Sequence, residues 1–138
     1  MSAFRMQSEA PEVFDVSSEP QSIRKLYGLE DGQNQGFAWQ CLVARRLSER
    51  GVRFVEIVDG SSSHNWDQHG NMAEHANHAK NIDQPLAALL QDLKERGMLA
   101  DTLLVWTTEF GRTPGVAGDK GGGHHSACFS SWLAGAGV

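Results

Sequence analysis

Apolar residues recur along the chain in blocks with two different periods. Over residues 37–50, Phe37, Cys41, Ala44 and Leu47 fall three to four positions apart, while Arg45, Arg46, Glu49 and Arg50 fill the other face. That period predicts an amphipathic helix, and Gly51 stands where a C′ glycine ends one. Residues 52–58 (Val-Arg-Phe-Val-Glu-Ile-Val) are rich in β-branched and aromatic side chains and predict a strand. A polar loop follows. The helical period then returns over residues 72–96, with Ile82, Leu86, Leu89, Leu90 and Leu93 as the apolar stripe and Gly97 as the stop. Pro85 lies inside this stretch. Either the helix kinks there, or a second helix begins with Pro85 in its first turn and Asp83 as its cap. Residues 102–107 are apolar nearly throughout and predict a second strand, and residues 129–134 predict a third. Residues 7–35 are polar and irregular, with a short helix expected at 22–27.

The order strand, loop, helix, strand over residues 52–107 predicts a βαβ unit and hence an α/β fold with parallel strands. A strand as apolar as 102–107 is usually covered on both faces, as in a parallel sheet. In that arrangement the loops after residues 58 and 107 leave the same carboxyl edge of the sheet, where ligand sites of open α/β sheets form. The last expected strand stops on a glycine-rich turn, and residues 3–6 make only a short amphipathic piece. The expectation is therefore an internal fragment of one larger domain, with N- and C-terminal parts missing.

Charge and composition narrow the function. Twelve basic and 17 acidic side chains give a net charge of -5, which argues against a nucleic-acid binder. No apolar run approaches the roughly 20 residues needed to span a membrane. Residues 1–10 carry Arg5 and Glu9 and show no apolar core of a secretion signal. Cys41 and Cys128 sit among apolar neighbours and read as two small buried thiols, with a disulfide left open. Eight of the 15 glycines fall after Phe110, which marks that region as loops on which a site can be built.

Two polar clusters occupy equivalent places after the two strands. The first holds His64, Asp67 and His69; the second holds Glu109, Arg112 and, past a glycine run, His124 and His125. Imidazoles and carboxylates are the donors suited to Zn²⁺ or a similar divalent ion. Simpler readings stand beside this one: Glu109 paired to Arg112 as an ionic turn, and His124-His125 as a solvated tract. His75 and His78, three apart on the long helix, are expected on a solvated face. Gly121-Gly122-Gly123 lacks the Lys-Ser/Thr ending of a phosphate loop, and Ser61, Ser62 and Ser63 lack the flanking glycines of a nucleophile elbow.

One ordered set of motifs is familiar. It runs Asn65-Trp66-Asp67-Gln68-His69-Gly70, Asp83-Gln84-Pro85, Leu104-Val105-Trp106-Thr107-Thr108-Glu109-Phe110-Gly111-Arg112-Thr113-Pro114, His124-His125 and Trp132-Leu133-Ala134-Gly135. Phe4-Arg5-Met6-Gln7 and Lys25-Leu26-Tyr27-Gly28-Leu29 match as well. In order and spacing, over nearly the whole chain, this resembles the bacterial, sulfatase-like family catalogued as domain of unknown function 1501. The resemblance implies a partial alkaline-phosphatase-like fold, a mostly parallel sheet flanked by helices. It also implies a divalent metal (Zn, Mn, Ca or Mg) held by Asp67, His69, Glu109, His124 and His125, with Arg112 contacting the anionic group. The implied activity is hydrolysis of a phosphate or sulfate ester, on a sulfated or phosphorylated saccharide, in a periplasmic or extracellular setting. Two departures stand out. Glu109-Phe110 replaces an Asp-His pair, and Gly123 stands where an Asp commonly precedes the two histidines. The nucleophile of such enzymes lies in a segment this chain does not contain, so the fragment is expected to be inactive alone. The alternative is a non-catalytic binding or structural module with a vestigial or single structural metal site.

Overall fold

A computed structural model describes residues 11–60, 66–108, 110–115 and 121–138. Among the described residues, three α-helices account for most of the regular structure: α1 (Gln21–Leu26), α2 (Phe37–Glu49) and α3 (His75–Glu95). Four short strands follow among the described residues: β1 (Leu104–Trp106), β2 (Gly111–Arg112), β3 (His124–His125) and β4 (Trp132–Ala134). The chain divides into two compact units. One comprises Met1–Asp59 with Asn81–Gln91, the other Gly60–Lys80 with Asp92–Val138. The middle of α3 thus belongs to the first unit and its two ends to the second. Among the described residues, no helix is long and apolar enough to cross a membrane.

In the first unit, Val13, Val16, Tyr27, Leu29, Cys41, Leu42, Val43, Ala44, Ala88 and Leu89 are buried. Helix α2 forms where its apolar period predicts and ends one residue early. Its stop is a Schellman arrangement: Gly51 takes φ 77°, its N–H donates to Ser48 at 2.9 Å, and Val52 N–H donates to Leu47 at 3.1 Å. Helix α1 ends the same way at Gly28, and the Gln84 side-chain amide also donates to the carbonyls of Lys25 and Leu26, each at 3.1 Å. Two arginines of α2 are buried and share one acid. Glu19 forms an ion pair with Arg45 at 2.7 Å and accepts from Arg46 at 2.5 Å. Burial of the Glu19 carboxyl opposes its ionisation, but the hydrogen bonds and charge of Arg45, then Arg46, outweigh it and lower its pKa. Arg46 further donates to the carbonyls of Val13 at 2.9 Å and Glu12 at 2.6 Å, tying the entry of the chain to α2.

Helix α3 is one helix. It runs through Pro85 with neither a break nor a second start, so the carbonyl of Asn81 lacks the donor that position 85 would supply in a regular helix. Asp83 is consequently an exposed mid-helix residue and not a cap. Cys41 and Cys128 are both free thiols. Cys41 is buried as expected, and burial, then the charge of Asp59, pushes its pKa up to about 12; Cys128 is exposed, contrary to expectation.

The expected α/β fold, a partial alkaline-phosphatase-like and mostly parallel sheet flanked by helices, is overturned. The strands form two separate two-stranded ladders, and both are antiparallel. In the first, β1 pairs with β4 in the register Leu104↔Ala134, Val105↔Leu133 and Trp106↔Trp132. In the second, β2 pairs with β3 as Gly111↔His125 and Arg112↔His124. Residues 52–58 join no ladder among the described residues; Phe54 is 82% exposed and Val58 65%. The reason is that β-branched composition fits a pleated surface without choosing a partner or a direction. Residues 102–107 behave alike: their core forms β1, but its partner is the 132–134 segment, and Val105 and Leu133 remain exposed on one face. Close backbone approach holds that ladder's end. A Cβ at Gly135 (φ 88°) would lie 2.2 Å from the Thr102 carbonyl oxygen.

Candidate metal centre

Within the second unit, the loop at residues 66–70 and the β2–β3 ladder meet at one carboxylate. Cross-strand pairing of Arg112 with His124 sets both side chains on the same face of that ladder. Asp67 receives both. Its Oδ1 accepts from His124 Nε2 at 2.8 Å and from the Arg112 guanidinium, and His69 Nδ1 lies 3.3 Å away. The His69 and His124 rings meet edge to face with centroids 4.8 Å apart, and Phe110 packs on His124 at 4.2 Å. One oxygen of Asp67 and one ring nitrogen each of His69 and His124 all lie within 4.8 Å of one another, at solvent-exposed positions.

The glycine run makes this meeting possible. Gly122 N–H donates to the Gln68 carbonyl at 3.3 Å, and Thr113 N–H donates to the Gly123 carbonyl at 2.9 Å. At Gly121, a Cβ would stand 1.5 Å from the His69 carbonyl oxygen and 1.9 Å from its carbon. Only glycine lets β3 approach the 66–70 loop so closely. This role was not read from the sequence, although the signal was present in three glycines placed directly before two histidines.

Arg112 is a brace within the cluster. Besides Asp67, its guanidinium donates to the carbonyls of Gly122 at 2.8 Å and Trp66 at 3.1 Å. The His124 hydrogen bond, and then that of Arg112, hold the Asp67 carboxyl below the usual carboxylate range. A depressed carboxyl stabilises the fold above its unfolded pKa of about 3.9, and the contribution disappears as pH falls through the folded value. Titration by carboxyl-detected NMR is therefore expected to find Asp67 protonating below the ordinary aspartate value of about 3.9, and its cross-links to His124 and Arg112 failing in that same step. An Asp67 midpoint at or above about 3.9 would remove this electrostatic account.

The structure thus brings together Asp67, His69, His124 and Arg112 out of the expected site. Neighbouring positions on a strand face opposite ways, so His125 points away from His124. It is half-buried, and its Nδ1 has no hydrogen-bond partner among the described residues. Glu109, His64 and Ser61, Ser62 and Ser63 lie outside the described residues. His75 and His78 depart from the solvated face expected of them. His78 is buried, and Trp66 lies against both rings with centroids 5.5 Å from His75 and 5.3 Å from His78. His75 Nε2 is 2.8 Å from the Trp66 carbonyl oxygen.

One carboxylate oxygen and two imidazole nitrogens at these separations fit the donor chemistry of a divalent ion of the zinc type. Their exposure leaves room for a further, non-protein donor. Neither the curated proteins nor the solved structures contain a match to this chain. A family model described as "Protein of unknown function (DUF1501)" matches residues 1–138, the entire sequence, and the chain accordingly belongs to that family.

Proposed function

We propose that the chain carries a metal centre of a divalent-metal-dependent hydrolase of phosphate or sulfate esters, a sulfatase-like protein. The observation that supports this reading is the convergence of Asp67, His69 and His124 from a loop and a strand distant in sequence. Three protein donors with an open position are the pattern of catalytic sites, whereas structural zinc sites are closed by four. A bound divalent ion supplies Lewis acidity toward an ester oxygen and neutralises its charge. The protein's own contribution is orientation: Asp67 is aimed by Arg112, and His124 is carried on β3 and packed by Phe110. A sulfated or phosphorylated saccharide, met in the periplasm or outside the cell, is the substrate class the family resemblance suggests.

One observation favours a second reading. Arg112 already neutralises Asp67, which is what a metal-free polar network would require, and on that reading the chain is a non-catalytic binding or structural module. Calorimetric titration with Zn²⁺ and Mn²⁺ separates the two. The metal reading expects one ion per chain and an affinity loss of more than about tenfold in His69→Ala and in His124→Ala, since each removes a ligand. No uptake, or uptake indifferent to both substitutions, leaves the second reading standing. Where uptake is found, hydrolysis of aryl phosphate and aryl sulfate esters by the metal-loaded chain tests the activity.

A further inference from the structure

The oxygen that precedes Asp67 along the backbone is unusually well anchored. The Trp66 carbonyl accepts from Gln68 N–H at 3.0 Å, from Arg112 Nη2 at 3.1 Å and from His75 Nε2 at 2.8 Å. These donors come from the loop itself, from β2 and from the first residue of α3. A carbonyl oxygen only accepts, so His75 carries its proton on Nε2. The Trp66 indole, packed against the rings of both His75 and His78, fixes the same peptide from its side-chain end. The Trp66–Asp67 peptide is planar, so holding its oxygen fixes the plane from which the Asp67 side chain departs. Arg112 joins the two levels, because the one nitrogen that reaches the Trp66 oxygen also reaches the Asp67 carboxylate.

We infer that His75 is a positioning residue of the metal centre, acting through the Trp66 carbonyl to aim Asp67 at the point where His69 and His124 converge. The inference rests on the metal-centre reading for its functional meaning, but its geometric content does not need a bound ion. His75 is the first residue of α3, and through its Nε2 the helix holds the Trp66 carbonyl of the loop. Groups that orient a ligand in this way typically change metal affinity by about tenfold to hundredfold when removed.

The test uses His75→Leu, which removes the donor, His75→Gln, whose amide reaches the place of Nε2, and His75→Asn, whose amide does not. Each is read by Zn²⁺ titration, by imidazole ¹⁵N spectra of His69 and His124 in the metal-free chain, and by thermal midpoint. The expected result is a Zn²⁺ affinity about tenfold or more weaker in the Leu and Asn variants and restored in the Gln variant. In the metal-free chain the Leu and Asn variants are expected to lose the His124 Nε2–H resonance bonded to Asp67, and the Gln variant to keep it. A folded His75→Leu chain that retains both affinity and resonance overturns the inference. Should that variant fail to fold, the Gln and Asn pair decides, and equal behaviour of the two overturns it. If the wild-type chain takes up no Zn²⁺, the metal reading falls, and the imidazole resonance alone decides for or against positioning by His75.

Discussion

Gly121→Ala is expected to separate His124 from Asp67 and His69 and to abolish measurable divalent-metal uptake. The added Cβ would fall 1.5 Å from the His69 carbonyl oxygen, 1.9 Å from its carbon and 2.7 Å from Gly70 N. All three are backbone atoms, so no side-chain rotation relieves the overlap. Either the 66–70 loop or the segment leading into β3 must move by more than an ångström. A displacement on that scale exceeds the precision a ligand set tolerates, about 0.5 Å. The natural control is Gly115→Ala, because a Cβ there meets nothing within 4 Å. Zn²⁺ calorimetry on both variants checks the first effect. Imidazole spectra check the second, loss of the His124–Asp67 contact, which is expected whether or not the ion binds. A Gly121→Ala chain with wild-type spectra and wild-type affinity would show that the close approach is not what assembles the cluster.

The second large effect concerns stability. Glu19→Ala is expected to destabilise the first unit by about 3 kcal/mol, because it strands two buried guanidinium groups. The Arg45 and Arg46 side chains are only 1% and 7% exposed, and Glu19 is the acid they share. Breaking a buried pair by deleting one partner costs about 3–5 kcal/mol, since the remaining charge stays desolvated. The low end applies here. Arg45 keeps Glu49 at 2.6 Å, and Arg46 keeps the carbonyls of Val13 and Glu12. Urea unfolding of the wild type and Glu19→Ala, with Glu12→Ala as an exposed acidic control, reads this directly. A loss of less than about 1 kcal/mol would place the cluster among ordinary surface ion pairs. Acid follows the same logic. Because the pKa of Glu19 is lowered, its contribution is complete above the unfolded value near about 4.3 and vanishes as pH falls through the folded one.

The helices were legible because their information is local. Residues 37–50 were expected as a helix and Phe37–Glu49 is one; Gly51 and Gly97 were expected as stops and both take positive φ. Pro85 left two local readings open, and the structure takes the one in which the helix continues. A proline costs a helix one hydrogen bond, and the apolar side chains on either side of it, Ile82, Leu86 and Leu89 among them, carry α3 through it. The sheet failed for the opposite reason. Nothing in Val52 to Val58 or in the 102–107 stretch states which segment lies alongside or in which direction. Only the folded chain selects 132–134 as the antiparallel partner of β1 and leaves residues 52–58 outside any ladder of the described residues.

The candidate site divides along the same line. The sequence by itself determined the donor chemistry: acids and imidazoles grouped in two loops, a glycine run before His124, a net charge that argues against nucleic acid, and motifs of a family to which the chain belongs. Tertiary structure decided which donors meet. Strand alternation sends His125 away from His124 although the two are neighbours in sequence, while cross-strand register brings Arg112 and His124, twelve residues apart, onto one face. It also turned His75 and His78 from a solvated pair into the packing around Trp66, and Arg112 into the group that holds Asp67. Residue type sets what a side chain can coordinate, but where it points is set by backbone pairing and steric fit between segments far apart along the chain.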